Sequence, residues 1–366
     1  MSETHSRGGI PSRRVLLRAA AALGIPGAVT GLAAPSVFAS SRPAAAPGAF
    51  PAPICRTAAE VPVTVLPGAP RKLRLTWNAT AICTASVPVA LAKGLFEKRN
   101  VDIEAINFGG STDQLLEAIA SGKADAGIGM ALRWLKPLEQ GFDVKIATAT
   151  HGGCMRLFAT KASGIGTLAD LKGKTIGVTD MAAPDKNFFA IRLAKLGIDP
   201  NGDVTFRVFP ADLLPVALKK GEVDAFALGD PLGWVARERD DLHEVANNLE
   251  GDYAHRACCV LGIRGSLIRD DRPAAAAIVE ALLEAQDFVA ANPDEAGRIF
   301  APYAPSAKPE QLAAMLRSHT HGHHPGGAAL KLEIAAYIED LKAISVIKPN
   351  TNADRFSEKV TADVLG

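Results

Sequence analysis

Two stretches about a hundred residues apart carry the same short plan. Leu116-Glu117-Ala118-Ile119-Ala120-Ser121-Gly122-Lys123-Ala124-Asp125-Ala126 reads as an amphipathic helix, a glycine stop, a charged residue, then x-Asp-Ala opening an apolar strand. Val216-Ala217-Leu218-Lys219-Lys220-Gly221-Glu222-Val223-Asp224-Ala225 repeats that order. A chain that spells one supersecondary unit twice is most simply two lobes built alike. The flanking pattern agrees. Short alternating or apolar runs at 73–77, 101–107, 124–129 and 144–149 predict strands, with helices at 87–96 and 109–120 between them. The pattern restarts with strands at 175–178, 204–209, 223–228 and 242–245, and helices at 185–196, 213–219 and 231–239. Strands alternating with helices give an α/β fold with mainly parallel sheets. Beyond a strand at 258–263, Ala-rich helices at 271–291, 308–318 and 327–343 are expected to be padding rather than a third catalytic unit.

The first 39 residues read differently. Ser12-Arg13-Arg14-Val15-Leu16-Leu17 sets an arginine pair before an apolar run that ends at Val37-Phe38-Ala39, a small-residue cleavage site. That is a secretory leader, and the paired arginines point to the twin-arginine route. Gly24, Gly27, Gly31 and Pro26 make a permanent membrane span less attractive. Residues 40–70, rich in Pro and Ala, read as a flexible lead-in. The formal net charge of +1 becomes −2 once Arg7, Arg13, Arg14, Arg18 and Glu3 are removed with the leader. Nothing in that balance asks for a nucleic-acid partner.

Several motifs from Arg71 onward resemble one family. Pro88-Val89-Ala90-Leu91-Ala92-Lys93-Gly94-Leu95-Phe96-Glu97-Lys98-Arg99-Asn100-Val101-Asp102-Ile103 is similar to the opening of nitrate/sulfonate/taurine/bicarbonate-type (NMT1/THI5-like) periplasmic solute-binding proteins. Gly122 to Gly129, Leu168-Ala169-Asp170-Leu171-Lys172-Gly173-Lys174-Thr175-Ile176-Gly177-Val178, Gly221 to Phe226 and Gly229-Asp230-Pro231 follow in the family's order. The resemblance implies a two-lobed, type II periplasmic-binding-protein fold, with two doubly wound mixed sheets joined by a two-crossover hinge. Lobe 1 is expected over 71–154 and 258–366, and lobe 2 over 155–257. It implies a monomeric binding protein without catalysis or cofactor, delivering a small anionic or zwitterionic solute to an inner-membrane ABC permease with its cytoplasmic ATPase.

In open α/β sheets, ligands bind outside the carboxyl ends of strands, where helix N-termini favour anions. Reading strand by strand, the candidates are Asn78, Thr80 and Cys83, then Ser111 and Thr112, then Met130 and Trp134 with Arg133 beside them. His151 and Cys154 follow the fourth strand, Thr179, Asp180 and Asp185 another, and Asp230 the last. In His151-Gly152-Gly153-Cys154 the two glycines let backbone approach the cleft closely. Five cysteines in an exported chain leave at least one free. Cys83, His151, Cys154 and Cys259 form an alternative, soft ligand set for a thiophilic metal ion or chelate. The tract His319-Thr320-His321-Gly322-His323-His324 reads as a solvated loop or a second metal feature. A pyrimidine-synthase-like enzyme on the same scaffold is a further alternative.

Overall fold

The computed structural model describes residues 63–108 and 112–366, with only the backbone of Thr112. The expected leader, most of the lead-in, Cys55 and Ser111 lie outside these residues. No helix among them is long and apolar enough to cross a membrane.

Among the described residues, ten strands form two five-stranded sheets. In chain order they are β1 (Arg71–Trp77), β2 (Val101–Asn107), β3 (Ala126–Met130), β4 (Val144–His151), β5 (Met155–Ala159), β6 (Thr175–Val178), β7 (Thr205–Val208), β8 (Ala225–Gly229), β9 (His243–Asn247) and β10 (Cys259–Arg264). The first sheet has the order β2-β1-β3-β10-β4 and the second β7-β6-β8-β5-β9. The two orders are the same pattern. In each, one strand runs antiparallel to both its neighbours: β10 against β3 and β4, and β5 against β8 and β9. The chain passes between the sheets twice, through residues 152–154 and 248–258.

The repeated Asp explains why both halves fold alike. The carboxylate of Asp125 accepts from the Arg74 amide at 2.8 Å, while the Asp125 amide donates to the Arg74 carbonyl at 2.8 Å. Asp224 does the same with Thr175, with both bonds 2.8 Å. Each clasp fixes the parallel register of its pair, Leu75 beside Ala126 and Ile176 beside Ala225. A slip of one residue would exchange the two buried faces of β3 and of β8 and undo their packing.

Trp134 is a core residue. It lies on a helix, Ala131–Glu139, that tolerates an internal Pro137 because it carries the fully buried indole. The ring covers two glycines on neighbouring strands: a Cβ at Gly129 would sit 2.1 Å from it, and one at Gly262 would sit 2.5 Å away. The C-terminal helices do more than pad. Helix Gly327–Ala343 grips the second crossing, with Glu333 accepting from the Ala257 amide (2.8 Å) and Asp340 accepting from Arg256 (2.8 Å) and the Tyr253 hydroxyl (3.0 Å).

Gly129→Ala is expected to cost about 1–3 kcal/mol by overpacking against Trp134. Gly166→Ala, where the nearest atom is 4.0 Å away, should be close to neutral. The urea midpoints of the two variants measure the difference.

Candidate functional site

Strand ends of the two sheets meet at one seam. The Ile82 amide, in the turn after β1, donates to the Asp230 carbonyl after β8 (3.3 Å), and the Asp230 amide donates to the Cys154 carbonyl in the first crossing (3.0 Å). On the other side of the seam Arg133 reaches Asp180 after β6 at 2.9 Å, and the Asn187 amide group donates to the Leu132 carbonyl at 3.3 Å.

Asp230 is the centre of a buried network. Its side chain is wholly removed from solvent and accepts from Nε of Arg156 on β5 at 3.1 and 2.9 Å. Arg156 also binds Glu244 on β9 through two 3.0 Å bonds, and Arg237 reaches the same Glu244 at 3.1 Å. The remaining partner comes from the His tract. Nε2 of His319 donates to Asp230 at 2.9 Å, and Nδ1 of His319 lies 3.0 Å from Nε2 of His151. Burial, followed by the imidazoles of His319 and His321, pushes His151 well below its ordinary pKa, and the Gly152 backbone works in the opposite direction. The ring is therefore neutral. Two carboxylates and two guanidiniums balance in this network, which is what burial of charge requires.

The His-Gly-Gly-Cys segment is built for contact with the protein itself. A Cβ at Gly152 would come within 2.5 Å of Thr320 in the His tract, and one at Gly153 within 2.5 Å of the Asn248 carbonyl in the second crossing. Asn248 then closes the hinge: its amide donates to the Met155 carbonyl (3.1 Å) and its Oδ1 accepts from the Met155 amide (2.8 Å). The tract is thus not a solvated loop. His319 is buried, His321 meets the Leu316 carbonyl at 2.5 Å and His323 meets Glu333 at 2.6 Å.

The other sequence candidates divide into three groups. Asn78 and Thr80 serve a local turn, the Thr80 amide and hydroxyl both donating to the Asn78 side chain at 3.0 and 2.7 Å. Cys83, Cys154, Cys258 and Cys259 are buried free thiols in one cluster. The neighbouring thiols of Cys154 and Cys259 lower the pKa of Cys83 to about 6, against the effect of burial. As the structure stands, no group of three or more His, Cys, Asp or Glu among the described residues is arranged to hold a metal ion. Met130 and Thr179 are half-buried and Asp180 is exposed. At this rim Arg133 pairs with Asp113 as well as Asp180, beside a cavity of about 270 Å³ lined by Asp113, Glu117, Arg133, Lys136 and Ala182 among others. A larger groove, about 570 Å³, adjoins it and shares Glu117 and Phe142 with it.

From the sequence Arg156 reads equally as an anion-neutralising group or a surface group, and His319 is not singled out within its tract. The signal for Arg156 was present in its position within an apolar strand, Met155-Arg156-Leu157-Phe158. A charge there is buried and must be paired.

Comparison with known proteins follows the same lines. The family model described as NMT1/THI5 like matches residues 84–296. A protein of Brucella abortus (strain 2308), provisionally named a binding protein, is 26% identical over 222 residues, covering 60% of this chain and 67% of the relative. A Haemophilus influenzae protein, provisionally named for thiamine biosynthesis, is 26% identical over 229 residues, 61% of this chain and 70% of the relative. In fold, the chain is similar to the periplasmic aliphatic sulphonate binding protein SsuA from Escherichia coli. The TM-score is 0.67 at 16% identity, covering 80% of this chain and 98% of that one.

Asp185 gives the seam a measurable pH signature. It sits in the first turn of helix Pro184–Lys195, and burial pushes it up to about 6, opposed by the Lys186 amide at 2.9 Å. A carboxyl raised in the folded state stabilises fully below its unfolded value of about 3.8 and loses that contribution as pH rises through about 6. Two units correspond to about 2–3 kcal/mol. Asp185→Asn should therefore gain stability over the parent at pH 7.5 and lose most of that gain at pH 4, read by urea unfolding at both.

Proposed function

The chain belongs to the NMT1/THI5-like family, and we propose that it is the solute-binding component of an ABC importer. In this reading residues 1–39 are a twin-arginine-type leader, 40–70 a lead-in, and the exported monomer works in the periplasm. Lobe 1 is 71–154 with 258–366, and lobe 2 is 155–257. The lobes close on one small anionic or zwitterionic solute and present it to an inner-membrane permease driven by its ATPase. The protein performs no chemistry on the solute.

The observation that carries this reading is the rim of the seam. Arg133 stands on a lobe 1 helix and binds Asp180 of lobe 2 next to a cavity that both lobes line, since Ala182 belongs to lobe 2. Its carboxylate partners are about half exposed, at 48% for Asp113 and 52% for Asp180. Such pairs are worth little and exchange readily. A solute anion can therefore replace a carboxylate on Arg133 as the lobes part and close again. Lys136, on the next turn of the same helix, adds a second cation to the cavity, and Thr179 adds a hydroxyl next to Asp180. Contact with both lobes favours the closed state by the solute's differential affinity for it. Cys83, Trp134, His151, Cys154 and Asp230 are engaged within the protein and frame the pivot rather than the solute. Sulphonate, in the name of the similar E. coli protein, falls within the proposed class.

A thermal-shift panel of nitrate, bicarbonate, alkanesulfonates, carboxylates and amino acids should give one saturable rise in Tm. Arg133→Met should weaken that ligand by roughly 10-fold to 100-fold, as loss of a charge-assisted hydrogen bond does. Its unliganded Tm should stay near that of the parent. Silence across the panel sinks the solute class. Undiminished binding in the variant sinks the placement.

A further inference from the structure

One carboxylate at the rim has no partner. Helix Thr112–Ala120 turns Asp113 and Glu117, four residues apart, to the same side. Asp113 is held by Arg133, and Lys136 is held by Glu139 at 2.8 Å. Glu117 is exposed and forms no ion pair among the described residues, although it lines both the cavity of about 270 Å³ and the adjoining groove of about 570 Å³. The lining beside it is aromatic and apolar. Phe142 belongs to both cavities, and Ile106, Phe108 and Ala118 line the groove with it. Phe108 and Phe142 are half-buried, so their rings face the open space in part. Around Arg133, the carboxylates Asp113, Glu117, Asp180 and Glu139 stand against two cations, Arg133 and Lys136. A simple anion that replaces a carboxylate on Arg133 adds to that excess and sets like charges side by side. A solute that carries its own cation does not.

We propose that the solute is a zwitterion whose cation is an alkylated ammonium, with the anionic head on Arg133 and the ammonium at Glu117 against the rings of Phe108 and Phe142. This rests on the importer reading above and narrows its solute class. The chemistry of the lining separates an alkylated ammonium from a bare one. An aromatic face attracts a cation and also receives its alkyl groups, whereas an exposed carboxylate alone leaves a bare ammonium in its water. Ile106 and Ala118 extend that apolar wall. The spacing of the two charges follows from the helix. Asp113, which shares Arg133 with the incoming anion, stands one turn before Glu117, and four residues at about 1.5 Å each give about 6 Å. A chain of roughly three or four carbons between anion and nitrogen spans that distance. Lys123 also lines the groove, but it lies six residues past Glu117, beyond the end of the helix, and is exposed. The ammonium is therefore placed on the Arg133 side of Glu117, away from Lys123.

The test is calorimetric titration of the full chain with two matched pairs. Trimethylammonio-propanesulfonate is compared with propanesulfonate, and trimethylammonio-butyrate with butyrate, so that each pair shares an anion and differs in the cation. Tetramethylammonium supplies the cation alone. The expected result is that at least one zwitterion binds roughly 10-fold tighter than its matched anion and than tetramethylammonium. Glu117→Gln should erase most of that preference. Phe142→Leu, which keeps an apolar side chain and removes the ring, should reduce it several-fold. Arg133→Met should weaken zwitterion and anion alike. The ratio within each pair on the parent protein decides alone if a variant does not fold. If both anions bind as tightly as their zwitterions, or if the preference survives Glu117→Gln, the inference is overturned and the importer reading stands. The same holds if neither zwitterion binds while another solute of the wider panel does. Tetramethylammonium binding as tightly as the zwitterions takes Arg133 out of the site and also overturns it. Silence across the whole panel sinks both readings.

Discussion

One buried carboxylate holds the two halves of this protein in register. Asp230 has no solvent-exposed side-chain surface, yet it gathers Arg156 from a neighbouring strand and His319 from the C-terminal helices. Its backbone meanwhile joins the turn after β1 to the first crossing. Taking such a charge out of water costs several kcal/mol, and the cost is offset only while every partner is in place. Removing one partner from a buried pair typically costs about 3–5 kcal/mol. The seam is therefore cooperative. Arg156 must meet Glu244 as well as Asp230, and Glu244 must meet Arg237, or the network carries an unbalanced charge.

The two glycines before Cys154 follow from that network. For Asp230 to bond the Cys154 carbonyl, the first crossing must lie flat against both the His tract and the second crossing. Gly152 and Gly153 are the two positions where any Cβ would collide, with Thr320 and with the Asn248 carbonyl. The close backbone approach read from the sequence is real, but its target is the protein's own hinge. The proposed solute-facing part of the seam is the rim, where Lys136 and Asp180 keep contact with water beside Arg133.

What was legible in the sequence follows the range of the forces involved. Strand and helix positions depend on local alternation, and β2 and β6 have the bounds read from the pattern. The repeated Asp125 and Asp224 were visible as a motif because each clasps a strand in the same way in its own half. The two lobes and the family motifs rest on that local grammar. The pivot does not. His319 pairs with a histidine 168 positions away and an aspartate 89 away, and nothing near His319 in the chain distinguishes it from the other histidines of its tract. Trp134 reads in the sequence as a ligand candidate after the third strand, yet its indole is buried on Gly129 and Gly262, in a helix that also holds Pro137.

The contrast between pivot and rim has a mechanical consequence. The Asp230 network and the Asn248 bonds are buried and mutually dependent, so they open together or not at all. The Arg133 pairs join a mostly covered guanidinium to two carboxylates that water reaches, so each is worth far less than a fully buried pair. A motion that parts the lobes will break the contacts that cost least, so the rim opens while the pivot keeps its geometry. That ordering lets a small solute, whose whole binding energy is a few kcal/mol, shift the equilibrium between open and closed forms. Were the same buried network placed at the rim, no small ligand would supply enough differential affinity to move it.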